Sequence, residues 1–322
     1  MQADQAPETQ TEDVIYRLAA PAGGGRAARR PCFAARLSGL AVSHDGGRQW
    51  CSAYRSLGLR EPLPTLAVAV APDFEREPAI FAGYNGGLLR SLDGGETWTN
   101  SDFPPPAPAI VALVVSPTFP NDRLVFAGTL ADGVFYSPDG GARWKTGNLG
   151  LIDMNVLCLG ISPNFAADQT VLAGTHSGLF CSRTAGRAWR EVDLPCGYDA
   201  VLSLALSPNF AADGTIWAGT ETQGLWCSED SGRRWRRLGQ PVLTGSISQI
   251  VLGLQAPRPL HALVLYDGQL SASDDGGATW HPWWAPAWNV EPLAAVLAPR
   301  GFGAGAPVWL GLERGPIIRV QG

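Results

Sequence analysis

Acidic side chains are the residues of this sequence best suited to catalysis. Asp132, Glu221, Asp267 and Glu313 each lie between two short strand-like runs, and Tyr266 lies beside Asp267. Two carboxyl groups held at a defined separation can hydrolyse a glycosidic bond. No spacing in the sequence pairs these carboxyl groups, however, and acidic residues on loop rims are typically solvated. The sequence therefore assigns no catalytic residue.

Metal, redox and nucleotide chemistry lack their usual motifs. The six cysteines show no CxxC spacing, and His44, His176, His261 and His281 occur singly along the chain. Neither a zinc site nor a redox motif is indicated. The glycines between Gly301 and Gly305 lack the strand-to-helix context of a dinucleotide site, and no G-x-S-x-G motif is present. We therefore expect no metal and no cofactor.

The composition restricts the class of protein. The 322 residues are 45% hydrophobic and 16% charged, with a net charge of −5, which excludes a disordered chain. The same charge argues against a general nucleic-acid binder. No run reaches the ~18 apolar residues of a membrane-spanning helix. Residues 1–13 are polar and acidic and lack the basic and apolar regions of a Sec signal, so we expect a short disordered tail and no such signal.

A possible export signal deserves a separate test. Arg29-Arg30 precedes a mildly apolar run and superficially suggests a twin-arginine signal. That run is better explained as the second and third strands of a repeat. We therefore expect a cytoplasmic protein.

One octapeptide occurs six times and organises the chain. It follows the pattern S-x-D-x-G-x-x-W, and successive serines lie 45 to 48 residues apart. The six copies begin at Ser43, Ser91, Ser137, Ser182, Ser228 and Ser273. A recurrence at this period is typical of propellers and solenoids.

A second pattern recurs seven times. A strand-like run closes with a proline at Pro21, Pro72, Pro117, Pro163, Pro208, Pro257 and Pro299. A later strand carries a large apolar residue at Phe33, Phe81, Phe126, Leu172, Trp217, Leu263 and Trp309, followed in four repeats by Ala-Gly. Each repeat is expected to form four short strands, and the innermost is almost wholly apolar, as in strands buried on both faces.

A sheet of this kind cannot bury its two faces alone, so neighbouring sheets must stack, and closing the stack into a ring protects its edges. We therefore expect an all-β fold, a single seven-bladed β-propeller of four-stranded antiparallel blades, with a six-bladed ring as the alternative. The blades are expected near residues 14–56, 65–102, 109–148, 155–194, 200–240, 246–285 and 292–322. The seventh blade has no obvious outer strand.

The octapeptide is expected to form the hairpin turn between the third and fourth strands. Its Asp and Ser can accept hydrogen bonds from turn amides, its Gly permits a positive φ, and its Trp anchors the outer strand. The structural residues assigned in this way are Asp45, Trp50, Asp93, Trp98, Asp139, Trp144, Trp189, Asp230, Trp235, Asp275 and Trp280. The fourth copy has Thr184 in place of aspartate, which predicts a weaker turn.

The octapeptide resembles the Asp-box, or bacterial neuraminidase repeat, of sialidases, xyloglucanases, sortilin-type receptors and photosystem II assembly factors. The resemblance covers nearly the whole chain and implies a β-propeller, but it implies little about activity, because unrelated functions share the repeat. Xyloglucanase-like enzymes generally have two propellers in a far longer chain.

A sialidase would need an arginine triad, a Tyr-Glu nucleophile pair and an acid/base Asp. The nearest match to its early arginine signature is Tyr16-Arg17-Leu18, with Ala19 where that signature has proline. We therefore interpret Arg17 as an ordinary strand residue.

One face of the predicted propeller is a candidate for partner binding. The loops between second and third strands share this face with the blade-to-blade connections, and they vary inside a repeating frame. With the tryptophan-rich segment 283–288, they give the candidate partner-binding residues Tyr84, Asn85, Asp132, His176, Glu221, Gln223, Asp267, Trp284, Trp288 and Arg314. The alternatives are neutral drift in the turns and packing of the tryptophans over the last blade.

Arginines concentrate on the outer strands and turns of the fourth and fifth repeats. The candidate basic patch contains Arg187, Arg190, Arg233, Arg234, Arg236 and Arg237. Guanidinium groups recognise carboxylates and phosphates bidentately, so an acidic partner could dock there. The alternative is a solvated blade edge whose charge prevents pairing with other strands.

These observations favour a non-catalytic scaffold that binds a protein partner through the loop face. One alternative is a glycan-binding or glycoside-hydrolysing propeller. The other is an assembly factor similar to the photosystem type, whose members carry an arginine-rich surface. No nucleic acid and no membrane span are expected.

Overall fold

The computed structural model describes residues 13–21, 31–253, 260–283, 291–303 and 305–321. Seven antiparallel sheets are formed, each from consecutive strands of one chain segment. The innermost strand of each sheet contacts those of its two neighbours, and the first sheet contacts the last. The expected seven-bladed β-propeller is confirmed, and the six-bladed alternative is wrong.

The first three blades each have four strands. Blade one contains β1 (Ile15–Ala19), β2 (Cys32–Arg36), β3 (Gly39–Ser43) and β4 (Cys51–Ser52). Blade two contains β5 (Thr65–Val70), β6 (Ile80–Tyr84), β7 (Gly87–Ser91) and β8 (Thr99–Asn100). Blade three contains β9 (Ile110–Val115), β10 (Val125–Thr129), β11 (Val134–Ser137) and β12 (Lys145–Thr146).

The next three blades repeat this arrangement and the seventh shortens it. Blade four contains β13 (Val156–Ile161), β14 (Val171–Thr175), β15 (Leu179–Ser182) and β16 (Arg190–Val192). Blade five contains β17 (Val201–Leu206), β18 (Ile216–Thr220), β19 (Leu225–Ser228) and β20 (Arg236–Leu238). Blade six contains β21 (Ile247–Leu252), β22 (Ala262–Tyr266), β23 (Gln269–Ser273) and β24 (His281–Pro282). Blade seven contains β25 (Leu293–Leu297), β26 (Pro307–Leu312) and β27 (Ile317–Gln321).

Single helical turns join the first and second strands of blades three to five. They are α1 (Phe119–Asp122), α2 (Phe165–Asp168) and α3 (Phe210–Asp213). Each begins with a buried phenylalanine, and each ends with an aspartate whose carboxylate accepts a hydrogen bond from the serine before the repeated proline. The proline register of the sequence therefore marks the start of this turn.

Glycines allow the blades to pack closely around the axis. In every blade the pairing of the first two strands shifts register after the first residue of the inner strand. In five blades the third residue then lies opposite a glycine, and the first inner-strand residue of the next blade packs on that glycine. A Cβ on Gly83, for example, would lie 2.5 Å from Cγ2 of Ile110. This close approach explains the repeated Ala-Gly.

The ring closes where blade seven meets blade one. The indole Nε1 of Trp309 donates to the carbonyl oxygen of Gly46 over 3.0 Å, and β1 packs against β25. Gly47, at a φ of +87°, lies against the same indole and leaves no room for a Cβ. Phe81 and Phe126 contact the octapeptide glycines of the next blades in the same way. The large second-strand residue of the repeat therefore packs under the turn of its neighbour.

The described chain begins beside blade one and ends in blade seven, the two blades that meet at this junction. The seventh sheet has three strands among the described residues, in agreement with the missing outer strand of the sequence pattern. The predicted tail lies outside the described part except for Asp13. The Asp13 carboxylate accepts hydrogen bonds from Ser38 and Arg36 and so is anchored to blade one.

Candidate partner-binding surfaces

The six octapeptides form one repeated hydrogen-bonded turn. The buried serine hydroxyl accepts from the backbone N–H of the fifth-position glycine over 2.8 to 3.0 Å in all six copies. In the five copies with aspartate, the same hydroxyl donates to that carboxylate over 2.7 to 2.9 Å. The fourth and fifth residues of each turn have positive φ, and the fifth is always glycine. The serine and aspartate side chains of the motif are therefore engaged in hydrogen bonds within the turn itself.

The octapeptide tryptophans join neighbouring blades. Nε1 of Trp98 donates to the carbonyl oxygen of Ala53 in blade one over 2.9 Å, and the indole meets Tyr54 edge-on at 5.3 Å. Trp144 stacks on Phe103, which follows the outer strand of blade two, with ring centroids 4.9 Å apart. The tryptophan thus holds the segment that leaves the preceding blade.

The fourth turn is satisfied less fully than the others. Oγ1 of Thr184 accepts from the backbone N–H of Ala188 over 2.9 Å. In blade five, Asp230 accepts from the backbone N–H groups of both Arg233 and Arg234. Several aspartates of these turns have a lowered pKa. For Asp275, hydrogen bonds from the Thr279 hydroxyl and backbone lower the pKa to about 2.

The loop face consists of the loops between second and third strands and the connections from one blade to the next. Asn85, Asp132, His176, Glu221, Asp267 and Arg314 are exposed on it, whereas Tyr84 and Gln223 are half-buried. The hydroxyl of Tyr84 donates to Oδ1 of Asn100 over 3.1 Å, and burial raises the pKa of Tyr84. Trp284 and Trp288 lie outside the described residues. Trp283 packs against the blade-seven cluster.

Three carboxylates on this face fasten loops by accepting hydrogen bonds from backbone N–H groups. Asp199 is 6% exposed, and it accepts from the backbone N–H groups of Thr222 and Gln223. Asp153 accepts from Ser177 and Asn155 in the same manner. Burial alone would raise its pKa, but these hydrogen bonds lower it to about 2. Asp153 and Asp199 lie in connections between blades and hold a loop between second and third strands. Asp267 lies in such a loop and holds a connection, because its carboxylate accepts from the backbone N–H of Ser246, which leads into blade six.

Exposed large apolar side chains concentrate on the loop face. Among the described residues nine large hydrophobic side chains are exposed, and six belong to this face: Leu37, Leu59, Leu130, Ile152, Tyr198 and Val242. The most exposed of these are Tyr198 at 91% and Ile152 at 73%, whereas Leu149, at 75%, pairs with Ala188 of the fourth octapeptide turn. The octapeptide turns carry one, Leu92. Exposed apolar side chains that share one face of a molecule are candidates for an interaction site.

Two arginines line a groove at the junction of blades four and five. The groove has a volume of about 450 Å³ and is lined by Arg183, Arg190, Glu191, Trp189 and Ser231 among others. Arg187, Arg233, Arg234 and Arg236 are exposed nearby, and Arg237 is half-buried. Nη2 of Arg236 lies 3.6 Å from a carboxylate oxygen of Glu229. Arg183, which lies on the fourth octapeptide turn, therefore belongs to the same basic surface.

A cavity of about 250 Å³ lies on the propeller axis and is lined by all seven innermost strands. Arg17, the third residue of β1, borders it, so this residue is in a strand as expected but faces the axis. The sequence did not indicate this position, since it depends on the register shift within each blade.

Two histidines that are distant in sequence share one aspartate. Nδ1 of His261 lies 3.1 Å from Asp274, and Nε2 of His281 lies 3.8 Å from it. Within the described ranges, no group of three or more His, Cys, Asp or Glu side chains is arranged to hold a metal ion. No helix in the same ranges is long and apolar enough to cross a bilayer.

No protein-family model matches the chain, and no curated protein sequence matches it significantly. Solved structures do match. An ancestral GH74 enzyme superposes with a TM-score of 0.72 at 17% identity, over 99% of this chain and 46% of that one. YCF48 bound to D1 peptide gives a TM-score of 0.69 at 17% identity, over 97% of this chain and 95% of that one. The extracellular domain of BT4673 from B. thetaiotaomicron gives 0.70 at 14% identity, over 97% and 38%.

The chain shares the β-propeller fold of these proteins. Identities this low establish the fold alone, because one fold serves many functions. The chain spans less than half the length of the GH74 and BT4673 proteins, at 46% and 38%, and nearly all of YCF48.

Proposed function

We propose that this protein is a non-catalytic propeller scaffold that binds a protein partner through its loop face. The observation that carries the proposal is the concentration of six exposed large apolar side chains there, against one on the octapeptide turns. Covering exposed tyrosine and leucine side chains with a partner removes apolar surface from water, which lowers the free energy of the complex. The polar residues Asn85, Asp132, His176, Glu221 and Arg314 are exposed on the same face and would provide specificity.

The similarity to YCF48 supports a peptide or protein as the partner. That protein was solved with a bound D1 peptide and matches this chain along nearly its whole length. A role as an assembly factor of that kind is a narrower version of the proposal. The arginine-lined groove between blades four and five is formed largely by octapeptide-turn residues, away from the loop face. It would be a second contact, for an acidic segment of the partner, because guanidinium groups pair with carboxylates.

We also propose that the octapeptide is the Asp-box itself. Six in-phase copies with the same hydrogen bond from the glycine N–H to the serine hydroxyl support this assignment. It gives the motif a folding role and leaves binding to the opposite face. The cytoplasmic location likewise stays a proposal, which fractionation of cells expressing the tagged chain would test.

The first experiment compares two faces of the same molecule. We expect a doubly substituted loop-face variant, Ile152→Asp with Tyr198→Asp, to lose at least about tenfold of its affinity for the partner recovered with the wild-type chain. Leu92→Asp is the matched control, because Leu92 is 52% exposed on an octapeptide turn. Quantitative mass spectrometry of the recovered partner measures the effect, and thermal unfolding shows that all variants are folded.

The alternative function, hydrolysis of glycosides, predicts a different result. A glycoside-hydrolysing propeller would turn over sialosides or β-glucosides, with loss of activity in Glu221→Gln or Asp267→Asn. Such turnover would overturn the scaffold proposal, as would equal partner recovery by the loop-face and turn-face variants.

A further inference from the structure

Blade seven presents a sheet edge that the other six blades cover. In each of those blades a fourth strand pairs with the third, whereas β27 has no partner on its outer side among the described residues. The third strands are equivalent residue by residue, because Arg319 of β27 pairs with Trp309 as Arg90 of β7 pairs with Phe81. The other blades therefore define how a strand would pair with β27.

Two apolar side chains of β27 are less buried than their equivalents. Ile318 is half-buried, and its equivalents in the six other blades are all buried: Ala41, Leu89, Phe135, Phe180, Trp226 and Ser271. Val320, also half-buried, lies where the other blades have the buried serine of the octapeptide. Both side chains pack against the cluster between blades six and seven. An edge strand with accessible apolar side chains can pair with a strand of another chain.

The backbone of β27 presents hydrogen-bonding groups in the register seen elsewhere in the ring. In blade two, the carbonyl oxygen of Leu88 accepts from the N–H of Ser101, just beyond the outer strand, over 2.9 Å. Blades one, three and six form the same bond. Ile317 occupies the position of Leu88, and the described residues place no strand on that side of it. Its carbonyl oxygen and the backbone of Arg319 are therefore open to an incoming antiparallel strand.

The other blades show which kind of side chain covers this edge. In blades two to four, the octapeptide tryptophan directly precedes the outer strand and shares an apolar cluster with the residue equivalent to Ile318. The pairs are Trp98 with Leu89, Trp144 with Phe135 and Trp189 with Phe180. A large aromatic residue just before an incoming strand would cover Ile318 and Val320 in the same way.

Arg319 favours an acidic residue at the next position. Its side chain is exposed, its guanidinium lies 5.7 Å from the centre of the Trp309 ring, and it forms no ion pair within the described ranges. The first residue of an incoming strand would lie directly opposite Arg319, as Thr99 lies opposite Arg90 in blade two. Opposite charges at directly paired positions stabilise a sheet.

The sequence that precedes β1 lacks these features. The shortest connections from an outer strand to the next inner strand are residues 193–200 and 239–246, eight residues each. A strand supplied from the N-terminal side of Ile15 through such a connection would end at residue 6. Residues 1–6 contain no aromatic and no β-branched side chain, the types that favour strands. These residues match the edge poorly, which favours a strand from another protein.

We propose that β27 accepts an extended segment of a partner protein as the fourth strand of blade seven, and that this segment has a large aromatic residue followed directly by an acidic residue. Backbone hydrogen bonds to an open sheet edge supply affinity, and alternate side chains supply specificity. The aromatic side chain covers Ile318 and Val320, and the acidic one pairs with Arg319. This edge is separate from the loop face and does not depend on the loop-face proposal.

The test uses the full chain and synthetic peptides. The parent peptide copies residues 91–102, the turn and outer strand of blade two, and a second carries Thr99→Glu so that a carboxylate faces Arg319. Fluorescence anisotropy of labelled peptides measures the dissociation constants. We expect the glutamate peptide to bind about threefold more tightly than the parent, and Trp98→Ala in it to weaken binding at least about tenfold. Absence of binding by the glutamate peptide would overturn the proposal.

A charge exchange then locates the contact. We expect Arg319→Glu to weaken binding of the glutamate peptide at least about tenfold, and a peptide with Thr99→Lys to restore binding to this variant. Arg233→Glu is the matched control, because Arg233 is an exposed arginine in blade five, whose third strand already pairs with β20. It should bind the glutamate peptide as the wild type does. Equal losses in the two variants would contradict the assignment to blade seven.

Hydrogen exchange identifies the edge directly. Amide exchange at residues 317–321 should slow when the glutamate peptide is bound, and thermal unfolding shows that each variant is folded. Deletion of residues 2–12 tests the chain's own segment as the occupant, and we expect it to leave the peptide affinity unchanged. Binding that appears only after this deletion, or protection confined to other blades, would overturn the proposal.

Discussion

At the scale of single residues, the octapeptide turns differ in how many backbone N–H groups the third residue accepts. Asp230 accepts two, from Arg233 and Arg234, and Thr184 accepts one, from Ala188. An acceptor with a negative charge and two oxygens satisfies more of the donors in such a turn. The blade-four turn is thus the place where one side chain limits local stability.

We expect Thr184→Asp to stabilise the protein. The added carboxylate would accept the further N–H group, worth about 0.5–1 kcal/mol, and would raise the unfolding midpoint by roughly 1–2 °C. Asp230→Thr gives blade five the blade-four sequence at this position and should lower the midpoint. Differential scanning calorimetry of the two variants checks both signs. Changes of the same sign would show that this side chain does not control the turn.

Acid sensitivity also belongs to individual residues. Hydrogen bonds lower the pKa of Asp153 to about 2 against the effect of burial, and the pKa of Asp93 is likewise about 2. A carboxylate whose pKa is lower in the folded than in the unfolded state stabilises the fold fully above its unfolded pKa of about 3.9. That contribution is lost as the pH falls through about 2.

We therefore expect the urea midpoint to stay level from pH 7 to about 5 and to fall steadily from about pH 4 to 2. Asp153→Asn should lower the midpoint at pH 7 and flatten the decline below pH 4. Circular dichroism during urea titration at each pH measures both effects. A decline of unchanged slope in Asp153→Asn would contradict the assignment to this carboxylate.

At the scale of strands and blades, packing depends on residues without side chains. Gly83 of β6 lies against the first residue of β9, and a Cβ there would lie 2.5 Å from Cγ2 and 2.9 Å from the backbone oxygen of Ile110. The backbone oxygen cannot rotate away as a flexible side chain can. Blades two and three must separate to admit even one methyl group.

We expect Gly83→Ala to destabilise the protein by about 1–3 kcal/mol through overpacking. Gly303→Ala is the matched control, because nothing lies within 4 Å of a Cβ at that position, and it should shift stability by less than about 0.5 kcal/mol. Thermal and urea unfolding measure both variants. Equal stability of the two would mean that the blades are not in close contact at Gly83.

At the scale of the whole molecule, two independent periodic patterns were enough to predict the ring. The octapeptide beginning at Ser43 recurs six times, and the second-strand residue beginning at Phe33 recurs seven times. Both are local patterns that every blade repeats. The missing outer strand of the last blade followed from the same comparison.

The contacts between blades could not be predicted in this way. Arg17 faces the axis because a register shift in β1 places it there, and nothing in the residues around it signals that shift. Asp153 and Asp199 fasten loops from the connection side, whereas Asp267 does so from the loop side. Spacing alone does not tell which partner supplies the carboxylate, because the two sides meet only after folding.

The joint between the last and first sheets resists load differently from the sheets themselves. In the described part of the chain no strand is shared across it, so Trp309, Gly46 and the strands behind them hold it by side-chain contact. A force that pulls blades one and seven apart would break these contacts one after another. Shearing two strands of one sheet, in contrast, breaks a row of backbone hydrogen bonds at once. The ring can therefore open between blades seven and one while every sheet stays intact.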